Sequence, residues 1–152
     1  MATRLVVHVD DDEAMGFLFG RALRSVGLME WTVKYLSSGQ LALDYLARVK
    51  ESKVERPDLL VLDLKMPGID GLDVLEWATA NVPEIPAVML SSSDLLSDRL
   101  RARDLGSRGY FVKAPGFGDL FEFLRTWEET AVTRIARSGA AEGVREPIRR
   151  CA

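Results

Sequence analysis

Four groups of side chains in this sequence suit phosphoryl chemistry, and they lie far apart along the chain. Three consecutive carboxylates, Asp10, Asp11 and Asp12, are followed by Asp63, then by Ser91 with Ser92 and Ser93, and then by Lys113. Clustered carboxylates repel one another unless a cation joins them. Mg2+ suits such a cluster, because it is hard, seeks oxygen and keeps several waters. Asp11 and Asp63 are the expected direct ligands, Asp10 acts directly or through water, and the backbone carbonyl of Lys65 adds a further oxygen. One carboxylate oxygen then remains free to attack phosphorus and form an aspartyl phosphate. The transferring group spreads negative charge over three oxygens, so Mg2+, the Lys113 ammonium and the Ser91 hydroxyl would each meet one of them.

These residues can act together only if the fold gathers them, and the pattern of elements predicts that it does. Strand-like runs at 4–9, 31–36, 58–63, 86–91 and 109–113 alternate with helical patterns at 12–27, 38–51, 71–81, 94–105 and from 118 onward. On the first helix Met15, Phe19, Leu23 and Val26 form one stripe, with Gly27 as the stop. On the second, Ser38 is the cap and Leu41, Tyr45, Leu46 and Val49 form the stripe. Five strand–helix units imply an α/β fold, a doubly wound parallel sheet with helices on both faces. Ligand sites in such sheets lie beyond the carboxyl ends of the strands, where the strand order reverses. That explains why the apolar run Leu59, Leu60, Val61, Leu62 ends on a charge: Asp63 faces the functional edge. Taken singly, each residue has a plainer role. Asp12 and Ser93 read as helix caps, Asp70 as a turn residue and Lys113 as a solvated lysine. Those roles do not explain why all of them arrive at corresponding strand ends.

Bulk properties narrow the classes. The chain has 152 residues and a net charge of −3, which argues against general nucleic-acid binding, and no direct DNA binding is expected. Residues 1–130 hold 15 basic and 21 acidic residues, net −6, and 131–152 hold 5 and 2, net +3. The expected organisation is one domain over 1–130 and a helical extension with a basic tail over 131–152. Cys151 is the single cysteine, so no internal disulfide can form, which suits a reducing cytoplasm. No apolar run approaches the ~20 residues of a membrane span, and the N-terminus turns acidic too soon for a signal peptide.

The stretches "HVDDDE", "LVLDLKMPGIDG", "VMLSSSD" and "GYFVKAP" resemble, in order and spacing, the signature blocks of the response regulator receiver family of two-component signalling, over residues 4 to about 130. The resemblance implies a flavodoxin-like strand order 2-1-3-4-5. It implies Asp63 as phosphoacceptor, Asp10 and Asp11 as the acid pair, Ser91 as switch hydroxyl, Lys113 as phosphate-binding lysine and Tyr110 as switch aromatic. It also implies a sensor histidine kinase as partner, and protein–protein signalling rather than turnover of external substrates. The opening "HVDDDE" and "DLKMPGIDGLDVLEW" look most like stand-alone regulators paired with bacterial phytochromes. In one place the chain departs from the pattern. The family usually has Lys-Pro with a cis bond, and this chain has Lys113-Ala114-Pro115. A cis bond before alanine costs about 2.5–4 kcal/mol, so Gly116 and Gly118 are expected to absorb the change.

Two other readings compete. A haloacid dehalogenase-type phosphatase also uses a strand-end Asp-x-Asp, present within Asp10–Asp12, but Ala14 stands where its motif needs Thr or Val. A pseudo-receiver would bind partners without phosphate, against which the full site argues. His8, within the first strand, reads as a hydrogen-bonded core histidine, and Trp31, Trp77 and Trp127 read as packing residues. Finally, the stripe Leu120, Leu124, Trp127, Ala131, Ile135 extends the last helix over 118–138, roughly 31 Å. A sheet of this kind is ~17–20 Å long, so Val132 and Ile135 should overhang and a homodimer is expected.

Overall fold

The computed structural model describes residues 3–113 and 116–136, with side chains as far as Trp127. Strands β1 (Arg4–Val9), β2 (Trp31–Leu36), β3 (Leu59–Leu62), β4 (Ala87–Ser91) and β5 (Tyr110–Val112) alternate with helices α1 (Glu13–Ser25), α2 (Gly39–Lys50), α3 (Gly71–Asn81), α4 (Leu96–Asp104) and α5 (Gly118–Ala136). The strands form one sheet in the order β2-β1-β3-β4-β5, and every pairing is parallel. This is the expected doubly wound architecture, with β1 and β3 adjacent at its centre.

Strand alternation divides the core in two. Val7, Val9, Leu60, Leu62, Ala87 and Met89 face a core shared with α2, α3 and Ala102 of α4. Val6, Leu59, Val61, Val88 and Leu90 face the other core, with Phe19 and Leu23 of α1 and Leu120, Phe121 and Leu124 of α5. All four β3 residues are buried, so the strand has apolar neighbours on both faces and no polar face. The same parity then aims the strand-end residues. Asp10 continues the side taken by Val6 and His8, Asp63 that of Leu59 and Val61, and Lys113 that of Phe111. Three charged side chains thus leave the sheet towards the same side.

Local chemistry sets the element boundaries. Asp12 caps α1, accepting the amides of Ala14 and Met15. Ser38 caps α2 by accepting the Leu41 amide. Asp70 is a helix cap rather than a simple turn residue: it exchanges hydrogen bonds with Asp73 in a capping box that starts α3. Gly27 stands at φ +87 just past α1. The α2 stripe is buried as expected at Tyr45, Leu46 and Val49, but its first position is Ala42, while Leu41 is 46% exposed. Adjacent helical residues point about 100° apart, so the smaller side chain lies under the sheet edge and the larger one lies outside. Trp31 and Trp127 pack edge to face at 5.2 Å, and Trp77 lies half-buried on the other core, all as packing residues.

After Lys113 the chain turns back into α5. Ala114 and Pro115, where the departure from the family pattern falls, lie outside the described residues. Beyond them the positive φ values belong to Gly116 at +59 and Phe117 at +64, not to Gly118, which begins α5. Phe117 is buried and packs edge-on to Phe19 at 5.5 Å, so its packing holds a conformation that bulky residues avoid.

Gly71 opens α3 directly beneath the loop that follows Asp63, its amide donating to the Leu64 carbonyl at 3.0 Å. A Cβ there would run into the Asp63 backbone carbonyl. Gly71→Ala is therefore expected to destabilise the fold by about 1–3 kcal/mol, the range for overpacking. Urea unfolding checks this, and amide shifts at Asp63 and Leu64 should be the most displaced.

Candidate functional site: an acid pocket at the sheet edge

Register brings the strand ends together. Val9 is level with Leu62, and the Asp63 amide donates to the Val9 carbonyl at 2.9 Å, which places Asp63 beside Asp10. The Lys113 amide donates to the Ser91 carbonyl at 2.8 Å, which brings β5's end alongside β4's. Asp10 is wholly buried and Asp63 is 6% exposed, whereas Asp11 is exposed at the mouth. One carboxylate oxygen of each of Asp10, Asp11 and Asp63 lies within 4.8 Å of the other two. The Lys113 ammonium reaches across the pocket, 2.8 Å from Asp10 Oδ2 and 3.3 Å from Asp63 Oδ1.

The charges distort one another. Burial, then the Asp10 charge, pushes the Asp63 carboxyl up to about 6, although Lys113 pulls the other way. Burial works against the Lys113 charge, but the Asp10 and Asp63 carboxylates outweigh it and hold the ammonium above the ordinary lysine value. Two buried carboxylates share one cation here, and exposed Asp11 adds a third negative charge. Three converging hard oxygen donors with surplus negative charge fit a divalent cation such as Mg2+. The Lys65 side chain is exposed, on the rim of a cleft of about 520 Å3 with Met66, Asp70 and Arg101.

Hydrogen bonds link the end of β4 to the start of β5. Ser91 is buried at the end of β4, and its Oγ accepts the Ser93 amide at 3.0 Å. The Ser93 carbonyl accepts the Tyr110 hydroxyl at 2.8 Å. Tyr110 is buried, with the Arg99 guanidinium 4.9 Å over its ring. Ser93 does not itself cap α4, whose N-cap is Leu95; its Oγ donates to Asp98 Oδ2 at 2.6 Å and accepts the Leu95 amide at 3.3 Å.

Two residues belong to the site that the strand-end pattern does not show. Tyr35 of β2 donates its hydroxyl to the Asp10 carbonyl at 2.6 Å, over Gly16, where any side chain would meet its ring. The register Val9↔Leu36 places Tyr35 there, and a reading of β2 as a plain alternating strand gives no sign of it. His8 is fully buried but not hydrogen-bonded as expected: neither ring nitrogen has a partner among the described residues, and Nε2 lies 3.9 Å from Asp10 Oδ2. Phe19, 4.4 Å from its ring, takes the space where a partner would stand.

A parallel 2-1-3-4-5 sheet with an acid pocket and a lysine at its carboxyl edge defines a class of signalling domain. A family model described as the response regulator receiver domain matches residues 6–125, and the chain belongs to that family. The curated Response regulator MprA of Mycobacterium leprae (strain TN) is 31% identical over 139 residues, covering 91% of this chain and 55% of that protein. The chain thus spans about half the length of the curated relatives it matches. The crystal structure of the phosphorylated cyanobacterial phytochrome response regulator RcpA is similar with a TM-score of 0.70 and 30% identity, over 84% of this chain and 93% of that one. The Mn2+-bound form of response regulator Rcp1 is similar with a TM-score of 0.68 and 26% identity, over 95% of this chain and 99% of that one.

The raised Asp63 carboxyl has a consequence for stability. Its proton is held more tightly in the folded chain than in the unfolded one, where the ordinary value is 3.8. This contribution favours folding at low pH and is lost as pH rises through about 6. A carboxyl raised that far corresponds to roughly 3 kcal/mol. Asp63→Asn should therefore raise stability at pH 7 by up to about 3 kcal/mol, and the gain should vanish near pH 4. Urea unfolding of both chains at each pH, without divalent cations, measures it. Comparison at equal pH cancels the opposite contribution of His8, whose burial lowers it to about 4.

Proposed function

We propose that this chain is a phosphorylation-driven switch that accepts a phosphoryl group on Asp63 from a sensor histidine kinase. The observation that carries the reading is the Lys113 ammonium held between Asp10 and Asp63, a half-buried cation beside a buried nucleophile. Asp63 attacks phosphorus, the bond to the kinase imidazole nitrogen breaks with its electron pair left on that nitrogen, and the imidazole, already protonated on its other nitrogen, leaves as a neutral ring. Asp10, Asp11, Asp63 and the Lys65 carbonyl would hold Mg2+, which supplies positive charge to the phosphoryl oxygens. Lys113 and Ser91 take the remaining two. A phytochrome-type kinase is favoured by the likeness to RcpA, a phytochrome response regulator by its description. Self-phosphotransfer and self-dephosphorylation are the only reactions proposed. With a cognate kinase or a small phosphodonor, a base-labile label should appear in the chain and be lost in Asp63→Asn. An undiminished label in that variant, or sustained hydrolysis of added phosphomonoesters, would contradict the reading.

The output follows from the chain of bonds from Ser91 through Ser93 to Tyr110. A phosphoryl group that draws the Ser91 hydroxyl inward removes the acceptor of the Ser93 amide, and the loop that holds Tyr110 must readjust. The proposed output face is α4, β5 and α5, in the cytoplasm. No described helix is long and apolar enough to cross a membrane. Backbone amide shifts on that face should change with a phosphoryl mimic and be suppressed in Ser91→Ala. Changes confined to the acid pocket would count against a switch.

A receiver domain over 1–130 with an extension over 131–152 is the organisation we favour, with a homodimer formed partly through α5. Its 19 described residues, roughly 28 Å, exceed the length of the sheet. The side chains of Val132 and Ile135, and all of 137–152 with Cys151, lie outside the described residues. Sedimentation at tens of micromolar should show a dimer for the whole chain and a monomer for 1–130. A monomeric whole chain would contradict the interface.

A further inference from the structure

His8 is a buried polar group that the phosphotransfer scheme above does not use. It is fully buried in the second-last position of β1, beneath the acid pocket. Neither ring nitrogen has a hydrogen-bond partner among the described residues, and buried polar groups are rarely left so. Asp10 Oδ2 lies 3.9 Å from Nε2 and is held by the Lys113 ammonium at 2.8 Å. The other Asp10 oxygen is already taken, since Oδ1 accepts the Asp12 amide at 2.9 Å. The Tyr35 hydroxyl pins the Asp10 backbone. A partnerless His8 nitrogen thus faces Asp10 Oδ2 across a gap about 1 Å wider than a hydrogen bond, and that oxygen's present partner is a lysine that also serves Asp63.

We propose that His8 is a positioning residue that takes over Asp10 Oδ2 when Lys113 turns to the phosphoryl group. As the ammonium moves from Asp10 towards the oxygens on Asp63, Oδ2 loses its counter-ion. The neutral imidazole then donates its Nε2 proton to that oxygen and keeps the Asp10 carboxylate aimed at the cation site. No proton changes owner in this step. A hydrogen bond is gained where an ion pair is lost. On its other side the His8 ring leans on Phe19, which in turn contacts Phe117 in the turn after Lys113. Movement of Lys113 and adjustment of the His8 ring are therefore linked through packing as well as through charge. The inference rests on the phosphoacceptor reading of Asp63.

His8 is the only histidine in the chain, so its ring nitrogens can be read without assignment ambiguity. The test is NMR of the full chain carrying 15N-labelled histidine, with Mg2+ alone and then with Mg2+ and beryllofluoride, with fluorine NMR reporting occupancy of Asp63. The expected result is a neutral ring protonated on Nε2 in all states, whose Nε2 proton moves downfield only when bound fluoride appears. In parallel, His8→Leu should weaken beryllofluoride binding about tenfold, the loss of one hydrogen bond to a charged group. His8→Gln, which keeps a donor near the Nε2 position, should restore most of it. Bound fluoride with an unmoved Nε2 proton would overturn the inference and leave the phosphoacceptor reading intact, as would equal affinities in His8→Leu and the parent. Absence of any bound fluoride signal would overturn both.

Discussion

Two carboxylates buried against one ammonium is the constraint around which this fold is arranged. Buried charges are tolerated only when paired, and Asp10 and Asp63 have Lys113 between them. The arrangement is electrostatically unfinished, with exposed Asp11 adding to the surplus. The raised Asp63 carboxyl is a measure of that imbalance. A domain stabilised only for its own sake would place apolar residues at these strand ends. Here the interior holds its carboxylates under tension, with more negative charge than one ammonium balances.

Holding them requires devices spread over the whole chain. The central position of β1 and β3 brings Asp10 and Asp63 side by side, and strand parity sends both, with Lys113, to one side of the sheet. Tyr35, packed over Gly16, ties the Asp10 carbonyl to β2. Gly71 lets α3 begin hard against the Asp63 carbonyl, with the Asp70–Asp73 capping box fixing where it starts. Phe117, held at positive φ against Phe19 and Phe121, anchors the return from Lys113. Cores on both faces keep the sheet rigid, so these positions are set before any ligand arrives.

Much of this can be read from the sequence because it depends on local pattern. A fully apolar run such as Leu59–Leu62 ending on Asp63 shows both the buried strand and the charged edge. Asp12 and Ser38 show helix starts by their capping chemistry, and the order of elements shows the sheet. What escapes is whatever depends on register or on space between elements. Leu41 and Ala42 are both apolar, and only packing decides which turns inward. Phe117 takes a backbone conformation that sequence assigns to glycine. Tyr35 and His8 look like ordinary strand residues, and their role at Asp10 appears only when β1 and β2 are laid side by side. The path from Ser91 through Ser93 to Tyr110 crosses from one strand to the next and has no signature along the chain.

The central claim, that the acid pocket is short of positive charge and is completed by a divalent cation, is tested most directly by stability against Mg2+ concentration. A ligand that binds only the folded chain stabilises it in proportion to the logarithm of its concentration above the dissociation constant. Unfolding free energy measured in urea at pH 7 should rise steadily with Mg2+, with no such rise in NaCl matched for ionic strength. An unfolding free energy that responds identically to the two salts would contradict the account.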